Sequence, residues 1–282
     1  MIASHKVRLF RSLKQRLFIN YRIFKIYFKF LNYIASMIED YINNEFCNPF
    51  DEKPRNFFMK LEHCGRYLYA LDNITGKDVI ADISCATGYG SDLLAQKAKF
   101  VIGADINDRY LKEANRNYKR KNLKFLKTDL NNNIDLSAYN ISTIISFETI
   151  EHTHNPFAVI KKFYNILPYG GRLILSFPNS KNETLDENGK NLDPFHLSVI
   201  EYEKMLNYLS DMGFEINRIL GQSFINRLIA QVLKIEEDLS VNLENLYNYS
   251  PKNILQQSKL LAYPNDVDIE KSYSFVFDLI KK

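Results

Sequence analysis

The chain has 282 residues, 46% of them apolar and 25% charged. This ordinary globular balance excludes whole-chain disorder, a collagen and a coiled coil, and a chain this long can bury a sizeable core. Three cysteines, Cys47, Cys64 and Cys85, form an odd set with no CxxC pair; this excludes a disulfide framework and a thiolate zinc site and suits a reducing cytosol.

The formal charge is +4, too little by itself to argue for nucleic acid. Its distribution says more. Residues 1–30 hold Lys6, Arg8, Arg11, Lys14, Arg16, Arg22, Lys25 and Lys29 and no acid. Because the whole chain sums to +4 and this stretch supplies +8, the other 252 residues carry −4. A basic arm thus precedes a mildly acidic body. Charges interrupt its apolar runs, unlike a secretory signal. Its longest uncharged run, residues 30–38, has nine residues, against the roughly 20 that a membrane span needs.

Within the arm, Arg22, Lys25, Lys29, Asn32 and Ser36 recur at steps of three and four, which makes one narrow polar stripe on a helix. Most of the remaining surface is aromatic or aliphatic, from Ile23 and Phe24 to Tyr33 and Ile34. Three partners suit so wide an apolar face: an anionic membrane surface, a partner subunit, or the chain's own body. Residues 41–56, polar and containing Pro49 and Pro54, read as a linker. The expected division is an arm with linker at 1–56 and a body at 57–282.

The body opens with a helix at 57–71. Strand and helix patterns then alternate. Short apolar strands are expected at 79–83, 100–104, 123–126, 141–147 and 172–177. Helices are expected at 89–98, 109–119, 156–167 and 199–211. Strands at 214–220 and 274–280 follow, separated by a polar, mostly helical insertion at 223–266. This alternation predicts an α/β fold: a Rossmann-like, doubly wound, mostly parallel seven-stranded sheet with helices on both faces.

In such a sheet ligands sit beyond the carboxyl ends of the strands. The first strand exits into Asp82-Ile83-Ser84-Cys85-Ala86-Thr87-Gly88-Tyr89-Gly90, a loop of small residues entering a helix, where a ligand can approach the backbone. The second exits at Asp105, whose carboxylate can accept both hydroxyls of a ribose, and the third near Asp129. A nicotinamide site fits poorly, because Leu93 stands where GxGxxG requires its third glycine.

The stretch VIADISCATGYGSDLLA followed by VIGADIN resembles the first two motifs of the class I S-adenosylmethionine-dependent methyltransferases. KTDL at 127–130, ISFETIEH at 145–152 and YGGRLILSFPN at 169–179 continue the likeness. It covers residues 60–220 and the strand at 274–280. The resemblance implies that Asp82 and the loop Ser84, Cys85, Ala86, Thr87, Gly88 and Tyr89 line the methionine part of S-adenosyl-L-methionine. It assigns Asp105 to the ribose, with Ile106 beside the adenine, and Asp129 to the adenine amino group, with Leu130 at the ring face. The family usually has Gly at Ala86 and Gly or Ala at Ser84. An alanine methyl is expected there only if φ stays negative. The segment containing Arg66 and Tyr67 is also similar to one that precedes the first strand in relatives, where either residue would reach the cofactor carboxylate. Read from the residues alone, Arg66 makes a surface salt bridge and Tyr67 packs in the core.

The fourth strand exit carries Glu148-Thr149-Ile150-Glu151-His152, and His196 follows the fifth strand. The set Glu148, Glu151, His152 and His196 resembles the metal site of O-methyltransferases with an ExxEH motif and a distal histidine, which implies Mg²⁺, Mn²⁺ or Zn²⁺ holding an acceptor hydroxyl. Two other readings stand beside it. His152, with Glu151 and His196, is a metal-free base; or Glu151 caps the next loop and His152 is structural. A base or metal points to an oxygen acceptor, since that proton must leave early. The expected acceptor is a sugar, a glycan precursor or another small metabolite, handled in the cytoplasm; of the three partners open to the arm, a membrane surface would place the chain at the inner membrane face. The alternatives are an RNA 2′-hydroxyl and a catalytically silent cofactor-binding scaffold.

Overall fold

The computed structural model describes residues 48–50, 57–132, 134–222, 250–266, 269 and 272–282. The expected arm, most of its linker and residues 223–249 of the expected insertion lie outside these residues.

Helix α1 (Phe57–Asn73) leads into strand β1 (Val79–Ile83), helix α2 (Tyr89–Leu94), β2 (Phe100–Asp105), α3 (Asp108–Asn117) and β3 (Leu123–Lys127). Then come β4 (Thr143–Phe147), α4 (Pro156–Ile166), β5 (Arg172–Pro178), α5 (Tyr202–Met212), β6 (Phe214–Gln222), α6 (Pro251–Leu261) and β7 (Ser274–Lys281). One seven-stranded sheet has the order β3-β2-β1-β4-β5-β7-β6. Strands β1 to β5 pair in parallel, and β7 lies antiparallel between β5 and β6. The order reverses at β1 and β4, so the crevice beyond their carboxyl ends is the topological switch point. Among the described residues no helix is long and apolar enough to cross a membrane.

Strand periodicity decides what each face buries. Ala81 and Ile83 of β1 join Ile144, Leu173 and Phe277 in one core, closed by Val159, Ile160 and Phe163 of α4 and by Met205 and Leu209 of α5. Ile80 joins Ile145, Ile174 and Val276 on the other face, closed by Tyr67, Tyr69 and Ala70 of α1 and by Leu93 and Leu94 of α2. Asp82 has the parity of Ile80 and therefore faces α1 and α2. The end of the insertion packs on α1: a Cβ on Gly65 would lie 2.1 Å from the Ala262 carbonyl oxygen, so only glycine admits this approach.

Several boundaries differ from expectation. Helix α2 ends at Leu94, where tighter turns take over through Gln96 N–H to Leu93 O and Lys97 N–H to Leu94 O. Strand β4 starts at Thr143; Ser142 still bonds the Val79 carbonyl as the chain enters the sheet. Helix α5 starts at Tyr202, because residues 195–199 are held in a loop by contacts to the site described next.

Candidate functional site

The loop after β1 is pinned to the end of β2. Cys85 N–H donates to the Ala104 carbonyl (3.1 Å) and Ala86 N–H to Asp105 Oδ2 (2.8 Å). The other Asp105 oxygen accepts from Asn107 N–H at 2.8 Å. Burial raises the Asp105 carboxyl above its ordinary range, and the backbone N–H bonds oppose that. Ionised, this carboxylate keeps lone pairs for two hydroxyls, since a carboxylate offers about four acceptor positions. Ile106 beside it is 55% exposed, an apolar face next to the acid.

The loop reaches this position through three residues of positive φ: Ser84 at 59°, Ala86 at 47° and Gly88 at 82°. The expectation of a negative φ at Ala86 is therefore overturned: tying its N–H to Asp105 while Gly88 N–H closes on the Cys85 carbonyl turns the residue left-handed. Gly88 has a second constraint, since a Cβ there would lie 2.5 Å from the Phe125 ring. Thr87 Oγ1 is buried without a hydrogen-bond partner.

Other residues assigned to the loop lie behind it. Asp82 is fully buried and accepts from Tyr67 Oη (3.0 Å) and Ser91 Oγ (2.6 Å). Burial pushes its carboxyl up to about 7 despite those two bonds. Tyr67 packs edge-on against Tyr89 and Phe147, the core role open to it from sequence. Cys85 is buried against Leu111, Ala114 and Phe125. Asp129 is half-buried, and its oxygens accept from Asn131 N–H and Nδ2 and from Asn132 Nδ2. Leu130, also half-buried, gives its carbonyl to Lys162 Nζ.

Arg66 is no surface salt bridge, being 2% exposed. Its Nη1 donates to Gln222 Oε1 (2.7 Å) and lies 3.8 Å from Glu148 Oε1, while its Nε has no hydrogen-bond partner. Glu148, at φ 43°, accepts from Ser176 Oγ of β5 (2.7 Å) and Ser274 Oγ of β7 (3.0 Å). It thereby leaves the expected four-residue metal set.

The other three of that set converge. Glu151, His152 and His196 bring one ligand atom each within 4.8 Å of one another. Glu151 is 1% exposed, and neither carboxylate oxygen has a hydrogen-bond partner, so the capping role is not observed. Burial, then the charge of Glu148, pushes its carboxyl up to about 8. His152 Nε2 lies 3.7 Å from Glu151 Oε1, and its Nδ1 is 3.0 Å from the Phe195 carbonyl oxygen. The ring centroids of His152 and His196 are 5.2 Å apart. Burial works against a charge on His196, but Glu183 Oε1, 2.7 Å from its Nδ1, outweighs this and holds the imidazole above its ordinary range. Glu183 was not legible as a site residue. Glu151 and the two imidazoles also fit a divalent cation: a ligand atom of each lies within 4.8 Å of the others, and the Glu151 oxygens lack hydrogen-bond partners.

The loop from β5 to α5 carries a further feature. Among the described residues the exposed large apolar side chains are Ile106, Tyr169, Leu185, Leu192, Phe195, Leu197 and Tyr273. All but Tyr169 belong to segments at the carboxyl ends of the parallel strands.

Residues 81–175 match a methyltransferase domain. A curated relative from Mycolicibacterium smegmatis, named "Probable S-adenosylmethionine-dependent methyltransferase", is 26% identical over 146 residues, which are 52% of this chain and 55% of that protein. The ubiquinone biosynthesis O-methyltransferase of Nitrosospira multiformis is 22% identical over 198 residues, 60% of this chain and 74% of that one. The chain spans about half the length of the first curated relatives it matches. In structure it is similar to Haemonchus contortus phosphoethanolamine N-methyltransferase 2 in complex with S-adenosyl-L-methionine, with a TM-score of 0.50 and 18% identity, over 78% of this chain and 52% of that one. The body therefore has the Rossmann-like fold of methyltransferases.

Proposed function

We propose that this chain is an S-adenosylmethionine-dependent methyltransferase that acts on an oxygen of a small acceptor with a partly apolar body. The observation that carries the reading is the meeting of two groups at one switch point. Ile83 pairs with Ser146, so the loop 84–90 and the segment 148–152 leave adjacent strands at the same edge. The first suits the cofactor, and the second suits an acceptor proton. The domain match, the named activity of the curated relatives and the S-adenosyl-L-methionine complex of the Haemonchus enzyme support it.

On this reading Asp105 holds the ribose, Ile106 and Leu130 flank the adenine, and Ser84 to Gly88 present backbone to the methionine part. Buried Arg66, with its unpartnered Nε, is assigned to the methionine carboxylate. Asp82 holds α1 and α2 behind the loop. The cofactor supplies an activated methyl on a sulfonium. The protein's share is to align the acceptor and take its proton. An imidazole of the cluster, beside a carboxylate that burial keeps protonated near neutral pH, receives that proton. The exposed leucines and Phe195 around His196 favour an acceptor with apolar surface over a bare sugar. The oxygen preference also agrees with the O-methyltransferase among the relatives.

A second reading, favoured by the 4.8 Å convergence, places a divalent cation on Glu151, His152 and His196. When bound it would supply Lewis acidity that lowers the pKa of an acceptor hydroxyl.

The test is calorimetric titration of S-adenosylhomocysteine into chelator-treated protein, then transfer of labelled methyl groups to hydroxylated acceptors with and without Mg²⁺, Mn²⁺ or Zn²⁺. One-to-one binding at micromolar concentration is expected. No binding refutes the enzyme and the cofactor-binding scaffold alike, whereas binding without transfer to any acceptor leaves the scaffold. Transfer that needs the cation selects the second reading.

A further inference from the structure

Glu183 lies outside every motif that the sequence offers, yet its Oε1 is 2.7 Å from His196 Nδ1. It is held for this task. Residues 184–192 form a small antiparallel turn: Leu192 N–H bonds the Thr184 carbonyl, Asp186 N–H bonds the Lys190 carbonyl, and Leu185 bridges Asn191. At the base of this turn Asn191 Nδ2 donates to the same Glu183 oxygen at 2.7 Å. Downstream, the Phe195 carbonyl meets His152 Nδ1 and Ser198 N–H bonds the Glu151 carbonyl. The strap is thus stapled on both sides of His196, whose side chain is 13% exposed, with Glu183 at 7%.

A carboxylate only accepts, so the imidazole nitrogen it meets carries the proton. We propose that Glu183 is a positioning residue that locks neutral His196 in its Nδ1–H form, leaving Nε2 as the lone-pair nitrogen for the acceptor's proton or for a cation. The consequence for turnover rests on the function proposed above; the tautomer does not.

The test is long-range ¹H–¹⁵N correlation of the histidine rings in the full chain at a pH where His196 is neutral, with His196→Gln to assign the signals. The expected result is the Nδ1–H pattern in the wild type. Glu183→Gln, which keeps an oxygen acceptor, retains it, and Glu183→Ala loses it. A wild type in the Nε2–H form, or Glu183→Ala indistinguishable from the wild type, overturns the proposal; the wild-type spectrum alone decides if the alanine variant does not fold. Methyl transfer in Glu183→Ala should fall roughly 10- to 100-fold, as when a carboxylate orienting a functional imidazole is lost, with binding of S-adenosylhomocysteine unchanged. A lost tautomer with undiminished transfer would refute the role given to His196 in the proposed function and leave the Glu183 contact standing.

Discussion

Ala86→Gly puts the left-handed loop to a quantitative test. Alanine at φ 47° carries a Cβ penalty of about 1–2 kcal/mol that glycine does not. Against this, glycine gives the unfolded chain extra freedom, worth about 0.5–1 kcal/mol. The hydrogen bond from residue 86 to Asp105 uses the backbone N–H, so the substitution keeps it. The net expectation is a gain of about 0–1.5 kcal/mol, or up to roughly 6 °C in midpoint for a domain of this size. Ala86→Val should lose stability, because a β-branched residue is a severe outlier at that φ. The chain has no tryptophan and 18 tyrosines, so urea unfolding followed by far-ultraviolet dichroism and tyrosine emission is the assay. A loss of about 0.5–1 kcal/mol in Ala86→Gly, as for glycine placed at an ordinary φ, would refute the left-handed geometry.

Three other outcomes are expected. Gly90→Ala puts a methyl 2.0 Å from the Tyr67 ring and should cost about 1–3 kcal/mol as α1 is pushed off α2; an unchanged urea midpoint would contradict that packing. Asp105→Ala should weaken S-adenosylhomocysteine about 10- to 100-fold, the value of hydrogen bonds to a charged group, and titration calorimetry showing undiminished affinity would displace Asp105 from the site. The contribution of Glu151 and Asp82 to stability should fall as pH rises from about 4.5 to 8, opposed below about 6.5 by buried His63, whose imidazole is held well below its ordinary range. Glu151 and Asp82 keep protons in the folded state up to about 8 and about 7, whereas the unfolded chain releases them at 4.5 and 3.8. The folded state binds more protons across that window, so each group removes up to about 1.4 kcal/mol per pH unit. Glu151→Gln should flatten the upper part of the decline; a slope equal to that of the wild type would show that Glu151 is not buried as a neutral acid.

Much of the fold was legible because its signals are local. The apolar runs at 79–83, 100–104 and 172–177 are short, bounded by turns, and bury both faces of a parallel sheet, so they read as strands without knowledge of their neighbours. Asp105 could be placed at the end of β2 because a strand end is a definite place in this architecture. Pro156 after Asn155, whose side chain caps Ala158 N–H, marked the start of α4. The places where sequence reasoning failed share a different cause. Whether Ala86 turns left-handed depends on where the Asp105 carboxylate sits, a contact across 19 residues. Glu148 was grouped with Glu151 and His152 by spacing. A left-handed backbone instead sends its side chain to Ser176 and Ser274, 28 and 126 residues away, which no helical or strand period encodes. Glu183 has no motif at all and enters the site because a short turn brings Asn191 beside it. Local propensity and periodicity are properties of a few consecutive residues and can be read in the chain itself. The partner of a buried charge is chosen by desolvation, which compels it to find a complementary group wherever the fold has placed one. That choice exists only once the tertiary structure has closed.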